Sequence, residues 1–320
     1  MNYDKKRLEI FNTYSENFLA CSNIFDIQVG KIQGGKINIE KEFFYICPTC
    51  KGIHDENSLD LNFPNHLSLE HVPPKSMGGK ATILTCKKCN NTSGSDLDIH
   101  LTRNLNIKRL TDGSGIPIDS ILDLGFAKFK VDLKFDKQKT TWNFQHRNNP
   151  FLESKLSELQ NSWDGLKFNV NISGGNPDRI ILAHVRIAYL KLFEILGYPY
   201  IFTPSGQFII KQIHSKKEVK NNTLVFKDPR ISDKEGIHLV SDSNKNWFGV
   251  LVVYNLLDKK SGIREHFGVV LPGPFVENLE HFQNIQKTTI DINLKKLPMM
   301  NYLEEPKHIF NLFHSLNQNV

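Results

Sequence analysis

The sequence predicts an α+β protein in two parts, a small cysteine-bearing N-terminal domain and a larger C-terminal α+β domain. Three observations carry this reading. Four of the five cysteines form two C-x-x-C pairs, Cys47/Cys50 and Cys86/Cys89. Past residue 115, strand-like runs gather around one long helical segment, the pattern of an α+β fold. Between these regions lies "TDGSGIP", residues 111–117, a glycine- and proline-bearing stretch that suits a boundary. The division is therefore residues 1–110, with a core at 45–110, and residues 115–320.

"DKKRLEIFNTYSENFLACSNIF" places Leu8, Phe11, Phe18 and Leu19 at roughly helical spacing, which predicts a helix or two short ones. Cys21 within it reads as a buried, inert thiol. "FDIQVGKIQGGKINIEKEFFYI" alternates around a Gly-Gly and predicts a hairpin leading into Cys47. "LSLEHV" reads as a strand with Leu67, Leu69 and His71 on one face and Ser68, Glu70 and Val72 on the other. Pro73-Pro74 ends it, and a bend or bulge there would bring Glu70 and His71 toward one point. Ser95 and Asp98 fit a capping box for a helix carrying Leu97, Leu101 and Leu105.

In the second part, "FAKFKVDLKF" alternates from Phe126, and "TTWNFQH" is expected to pair with it across a turn at 136–139. "LKFNVNIS" predicts a further strand. "PDRIILAHVRIAYLKLFEILGY" is the clearest helix, with Pro177 suited to its first turn and Gly197 to its end. Ile181, Val185, Ala188, Leu192 and Ile195 form its apolar stripe, widened by Ile180, Ala183 and Ile187, while His184 and Arg186 read as its solvated side. "FIIKQI", "NTLVF", "WFGVLVVYNLL" and "EHFGVVLPG" all read as strands.

Composition bounds the function. With 39% hydrophobic, 10% aromatic and 23% charged residues over 320 positions, the chain is expected to fold rather than remain disordered. A net charge of +6 permits a polyanionic partner without demanding one. No run approaches the roughly 18–20 apolar residues of a membrane helix. "MNYDKKRLEIFNTY" lacks the apolar run of a secretion signal. The expectation is a cytoplasmic protein with no membrane partner.

In a reducing cytosol, paired C-x-x-C units bind zinc more often than they form disulfides. Cys47, Cys50, Cys86 and Cys89 supply four thiolates, enough to close a tetrahedral structural Zn²⁺ site with no open position. Glu70 offers a carboxylate for a divalent cation, and the neutral imidazole of His71 can deprotonate water near pH 7. Asn90 follows the last thiolate directly, so its position is set by the metal turn. Lys75, Lys80, Lys87 and Lys88 lie between His71 and Asn90 with no acidic residue among them, placed to hold phosphates.

The ordered pattern C47-P-T-C50, L69-E70-H71-V72-P73-P74-K75-S76-M77-G78-G79 and L84-T85-C86-K87-K88-C89-N90 resembles the zinc-braced HNH endonuclease family, the four-cysteine ββα-metal type. The resemblance implies a β-hairpin and helix clasping one divalent cation (Mg²⁺ or Mn²⁺, with Ni²⁺ a further candidate) over the scissile phosphate. It makes His71 the general base and Glu70 and Asn90 the cation ligands, with 5′-phosphate and 3′-hydroxyl products. Two positions depart from the family. Glu70 stands where the family usually has aspartate. Ala81, followed by Thr82, stands where the family has an asparagine that braces the loop carrying the base; either another group such as Thr82 or Asn65 takes that role here, or the site is looser. Asp96 and His100 read as helix-surface residues.

The first functional reading is a metal-dependent endonuclease acting on DNA, with RNA as the other nucleic acid the chemistry admits, in restriction or phage defence. The second domain would then read a target sequence, a modified base, a small ligand or a protein partner. A homodimer would bring two nuclease domains to the two strands. The alternative is a zinc-containing nucleic-acid-binding protein that grips through the same lysines without cutting. A third reading is a structural zinc domain holding a protein partner.

Overall fold

The computed structural model describes residues 4–25, 43–112, 116–124, 128–136, 141–146, 150–151, 153–154, 169–172, 174–215, 224–242, 248–277, 280, 282 and 292–317. In chain order its elements begin with α1 (Lys5–Phe25), β1 (Tyr45–Ile46), β2 (Ile53–His54), β3 (Leu67–Val72), β4 (Lys80–Cys86), α2 (Lys87–Ser93) and α3 (Ile99–Thr111). There follow β5 (Ile118–Asp123), β6 (Lys128–Asp136), β7 (Thr141–His146), β8 (Asn169–Asn171), α4 (Pro177–Leu196), α5 (Tyr198–Ile201) and α6 (Pro204–His214). The last are β9 (Leu224–Lys227), β10 (Gly236–Asp242), β11 (Phe248–Leu257), β12 (Arg264–Pro272), β13 (Ile292–Lys296) and α7 (Lys307–Asn317). The class is α+β, with an N-terminal ββα region and a larger C-terminal α+β region bearing separate sheets. The expected Gly-Gly hairpin before Cys47 falls largely at 26–42, outside the described residues.

The chain forms two compact units that interleave along the sequence. One comprises residues 1–98, 178–257 and 264–320, the other 99–177 and 258–263.

In the first unit, β9 to β13 build an antiparallel sheet in the order β13-β10-β11-β12-β9. β11 is buried along almost its whole length, as expected of a central strand covered on both faces. α4 lies against this sheet: His184 Nδ1 is 2.6 Å from the Tyr254 hydroxyl, and its ring is 4.3 Å from that of Phe267. On its other side α4 meets the N-terminal elements. Tyr14 of α1 stacks on Phe193 at 4.6 Å, and the Tyr189 hydroxyl donates to the Pro48 carbonyl at 2.7 Å. Covered on both sides, α4 has no solvated face along its middle, so His184 (4% exposed) and Arg186 (1%) are buried. This corrects the expectation that they face solvent. Ile195, expected in the apolar stripe, is 38% exposed instead.

"FIIKQI" is a helix, not a strand. Thr203 caps α6 by accepting from the Gly206 N–H, and Pro204 sits at the first helical position, both helix-start signals. Ile209, Ile210 and Ile213 are buried on one face. α4 otherwise spans the expected residues, and Gly197 ends it with φ 66°, in the left-handed region glycine favours.

The second unit holds α3 and an antiparallel sheet in the order β7-β6-β5-β8. β6 pairs with β7 in the expected antiparallel sense, from Val131↔His146 to Asp136↔Thr141. β5 alternates buried and exposed residues, with Ile118, Ser120 and Leu122 inward. Arg109 of α3 pairs with Asp258 through a two-toothed contact. Burial alone would raise the Asp258 carboxyl, but donors from Arg109, Ser261 and the Lys260 N–H hold it well below the usual range. Among the described residues no helix is long and apolar enough to cross a membrane.

Candidate nuclease and metal centre

The four paired cysteines converge: their sulfurs all lie within 4.8 Å of one another. Cys50 Sγ and Cys86 Sγ are 3.8 Å apart, the edge of a tetrahedron of sulfurs about 2.3 Å from a central zinc. Local backbone shapes the first turn. Lys51 N–H donates to the Cys47 carbonyl, Lys51 takes φ 61°, and Gly52 N–H points at Cys50 Sγ at 3.4 Å. The Cys86 N–H points likewise at Cys47 Sγ at 3.4 Å. Such N–H groups favour thiolates over thiols.

Burial pushes the Cys47 thiol up, while its hydrogen bond to Cys47 draws the Cys50 thiol down to about 7. Four crowded sulfurs are what a divalent soft-ligand cation holds together. The cluster can ligate a metal ion, and its donors and spacing fit structural zinc. Cys21 is separate and buried, its thiol pushed up to about 12 by burial alone.

Two aromatic hydroxyls fix the metal turn to its surroundings. Tyr198 exchanges hydrogen bonds with the Ile46 backbone, accepting from its N–H and donating to its carbonyl, both at 2.9 Å. Tyr45 does the same for Leu84 of β4, at 3.1 and 2.7 Å. The His214 ring adds a bond to the Thr49 carbonyl at 2.9 Å.

The β3–β4 hairpin carries the Glu-His pair. Its register runs Leu67↔Cys86 to Glu70↔Ile83, then shifts so that His71 faces Ala81 and Thr82 is the extra residue. The irregularity thus falls on β4 and not, as expected, at the end of the strand that carries Glu70 and His71. Glu70 is buried (4%) and His71 half-buried. Thr82 makes no brace for the loop after His71, since its hydroxyl has no hydrogen-bond partner among the described residues. Asn65 is used elsewhere: its Oδ1 accepts from Lys88 N–H at 2.9 Å and caps α2 from outside the helix.

The loop after His71 is closed by Gly79, where an added Cβ would lie 1.4 Å from the Pro73 carbonyl oxygen. Asn90 joins helix to strand by donating from Nδ2 to Ser68 Oγ at 3.0 Å and to the Leu69 carbonyl at 3.2 Å. Lys75, Lys80, Lys87 and Lys88 are all exposed, and none forms an ion pair among the described residues.

Glu70 does not face open solvent. Its Oε2 accepts from Thr85 Oγ1 at 2.9 Å and lies 3.0 Å from Arg186 Nη2; Oε1 takes part in neither contact. The same guanidinium lies 3.6 Å from Asp98 through Nη1. Burial raises the Asp98 carboxyl to about 6, with Arg186 opposing and Glu70 adding. Asp98 therefore points into the fold and does not complete a capping box. Ser95 instead donates to the Thr92 carbonyl, and helix already begins at Lys87, with a π-helical turn over Gly94–Asp98. Asp96 is exposed, as expected, while His100 is half-buried and accepts the Asn176 N–H at 3.1 Å.

The sequence reading placed Arg186 on a solvated face, although a single arginine amid "IILAHVRIAYL" was itself a sign of a buried charge needing a partner. Among the described residues no second group of three or more His, Cys, Asp or Glu side chains converges as the cysteines do.

Residues 62–106 match the family model described as HNH endonuclease. The match covers the hairpin, the second cysteine pair and α2, while Cys47 and Cys50 precede it. No curated protein and no solved structure matches the chain. The chain thus carries an HNH-family domain at residues 62–106, beside a four-cysteine cluster suited to brace it with zinc.

Proposed function

We propose that this protein is a metal-dependent endonuclease that hydrolyses DNA phosphodiester bonds. The observation that carries the reading is the hairpin bulge at Glu70/His71, with Asn90 holding α2 to the strand one residue before Glu70. The oxygen donors left for a cation, Glu70 Oε1 and the Asn90 amide oxygen, are hard ligands of the kind Mg²⁺ and Mn²⁺ take. When bound, such a cation stabilises charge on the phosphate and the leaving oxygen.

The protein's own residues do the rest. His71 accepts the proton of the attacking water. Asn90 sets the distance between helix and strand. The cysteine cluster holds the start of α2 rigidly, and Lys75, Lys80, Lys87 and Lys88 bind the flanking phosphates. A role in the cytoplasm against foreign DNA, with residues 115–320 selecting the target, fits a nuclease domain joined to so large a second part.

The test is cleavage of supercoiled plasmid by wild type and His71→Ala with Mg²⁺, Mn²⁺, Ni²⁺ or EDTA. The expected result is nicking or linearisation that needs a cation and is lost in the variant. Plasmid binding without cleavage under every condition would favour the zinc-containing binding protein.

A further inference from the structure

Arg186 stands 116 positions after Glu70 in the sequence, on a helix that is buried along its middle. A guanidinium 1% exposed is costly to place there. Its setting does not repay that cost through hydrogen bonds. Nε and Nη2 have no hydrogen-bond partner among the described residues, so the 3.0 Å contact to Glu70 is an ion pair whose N–H vectors are not aligned as a bond. An apolar side chain of similar length would fill the same space without stranded donors. What the guanidinium does supply is reach, since one nitrogen lies beside the β3 carboxylate and another beside Asp98 at the end of the π-helical turn. Strand side and helix side of the ββα unit are thereby tied through one rigid planar group.

We propose that Arg186 is a positioning residue of the nuclease centre, clamping Glu70 through Oε2 against Asp98 so that Oε1 is presented to the divalent cation. Thr85 Oγ1 grips the same oxygen from β4, so both restraints act on one side of the carboxylate. A lysine keeps the charge but lacks the fork that spans two carboxylates. The inference rests on the nuclease reading for the presence of a cation beside Glu70.

The test uses full-length, zinc-loaded protein and reads Mn²⁺ binding by electron paramagnetic resonance, with plasmid cleavage alongside. Wild type, Glu70→Gln, Arg186→Lys and Asp98→Asn are compared. Expected is one Mn²⁺ site lost in Glu70→Gln, weakened about 10- to 100-fold in Arg186→Lys as for other groups that orient a metal ligand, and weakened less in Asp98→Asn. Zinc content and plasmid affinity in EDTA should stay at wild-type values. Catalytic rate at saturating plasmid should fall with Mn²⁺ affinity, while the plasmid concentration for half-maximal rate stays put.

Wild-type Mn²⁺ affinity in a folded Arg186→Lys protein would overturn the proposal, as would a wild type that binds no Mn²⁺. If Arg186→Lys does not fold, Asp98→Asn decides, and unchanged Mn²⁺ affinity there overturns it. A wild type that binds Mn²⁺ yet never cuts DNA would remove the endonuclease reading while leaving the Arg186 comparison decisive.

Discussion

Asn90 donates from its side-chain amide to the main-chain carbonyl of Leu69 at 3.2 Å, tying α2 to β3 at the residue before Glu70. The helix is fixed in turn by Cys89, directly before Asn90, through the cysteine cluster. Metal site and hairpin bulge are thus one mechanical unit, and disturbing either should be felt at the other.

Cys86 joins β4 to α2 and contributes one of the four sulfurs. Cys86→Ala is expected to lose bound zinc and the cooperative melt of the first unit, because structural zinc contributes about 10–16 kcal/mol of apparent binding energy to folding. Elemental analysis and calorimetry check this; full zinc content with an unchanged melt would remove the shared site.

His71 is half-buried beside the bulge. His71→Ala should lower the cleavage rate by about 10²–10⁴-fold, the range for a lost general base, with plasmid binding and melting temperature near wild type. Single-turnover cleavage followed against pH gives the readout. A rate within a fewfold of wild type would take His71 out of the chemistry.

Gly79 has no room for a methyl group, since its Cβ would overlap the Pro73 carbonyl. Gly79→Ala should destabilise the protein by more than about 3 kcal/mol, because only backbone movement relieves an overlap of this kind. Chemical denaturation measures it, and a loss below about 1 kcal/mol would mean that the loop after His71 yields readily.

Asp98 titrates near 6 in the fold against an ordinary value of 3.8. The folded state therefore holds the proton more tightly than the unfolded state. Its contribution to stability is greatest below about pH 4 and is lost as pH rises through about 6. Asp98→Asn should gain on wild type by about 2–3 kcal/mol between pH 4 and pH 7, at about 1.4 kcal/mol per pH unit. Comparing the two proteins cancels the zinc thiolates, which titrate equally in both. A constant difference across that range would count against the assignment.

Lys87 and Lys88 begin α2 and face solvent. Replacing both by alanine should weaken DNA binding at every sequence alike and flatten its dependence on log salt by about 0.9 for each phosphate no longer neutralised. Binding titrations from 50 to 200 mM salt test this, and an unchanged slope would place the phosphates elsewhere.

The sequence by itself determined what depends on near neighbours. Two C-x-x-C turns can present thiolates wherever they fold, so Cys47, Cys50, Cys86 and Cys89 were legible as one cluster. The run from Pro177 to Leu196 carries its own start, period and stop, and it folds as read. The proline pair after "LSLEHV" announced an irregular hairpin, but the bulge lies opposite, on β4. "FIIKQI" was misread because so short a run with four apolar residues suits either period, and the deciding signal, Thr203-Pro204, lies just outside it.

Tertiary structure alone decided the surroundings of Glu70. A strand's alternation says which residues share a face but not what meets that face, and here it is an arginine from a helix 116 positions away. The same holds for α4, whose polar residues looked solvated until the β11–β12 sheet and the N-terminal elements covered both its sides. Burial is a property of the packed whole. A charge in the sequence shows only that a partner or water must be found, and the fold determines which.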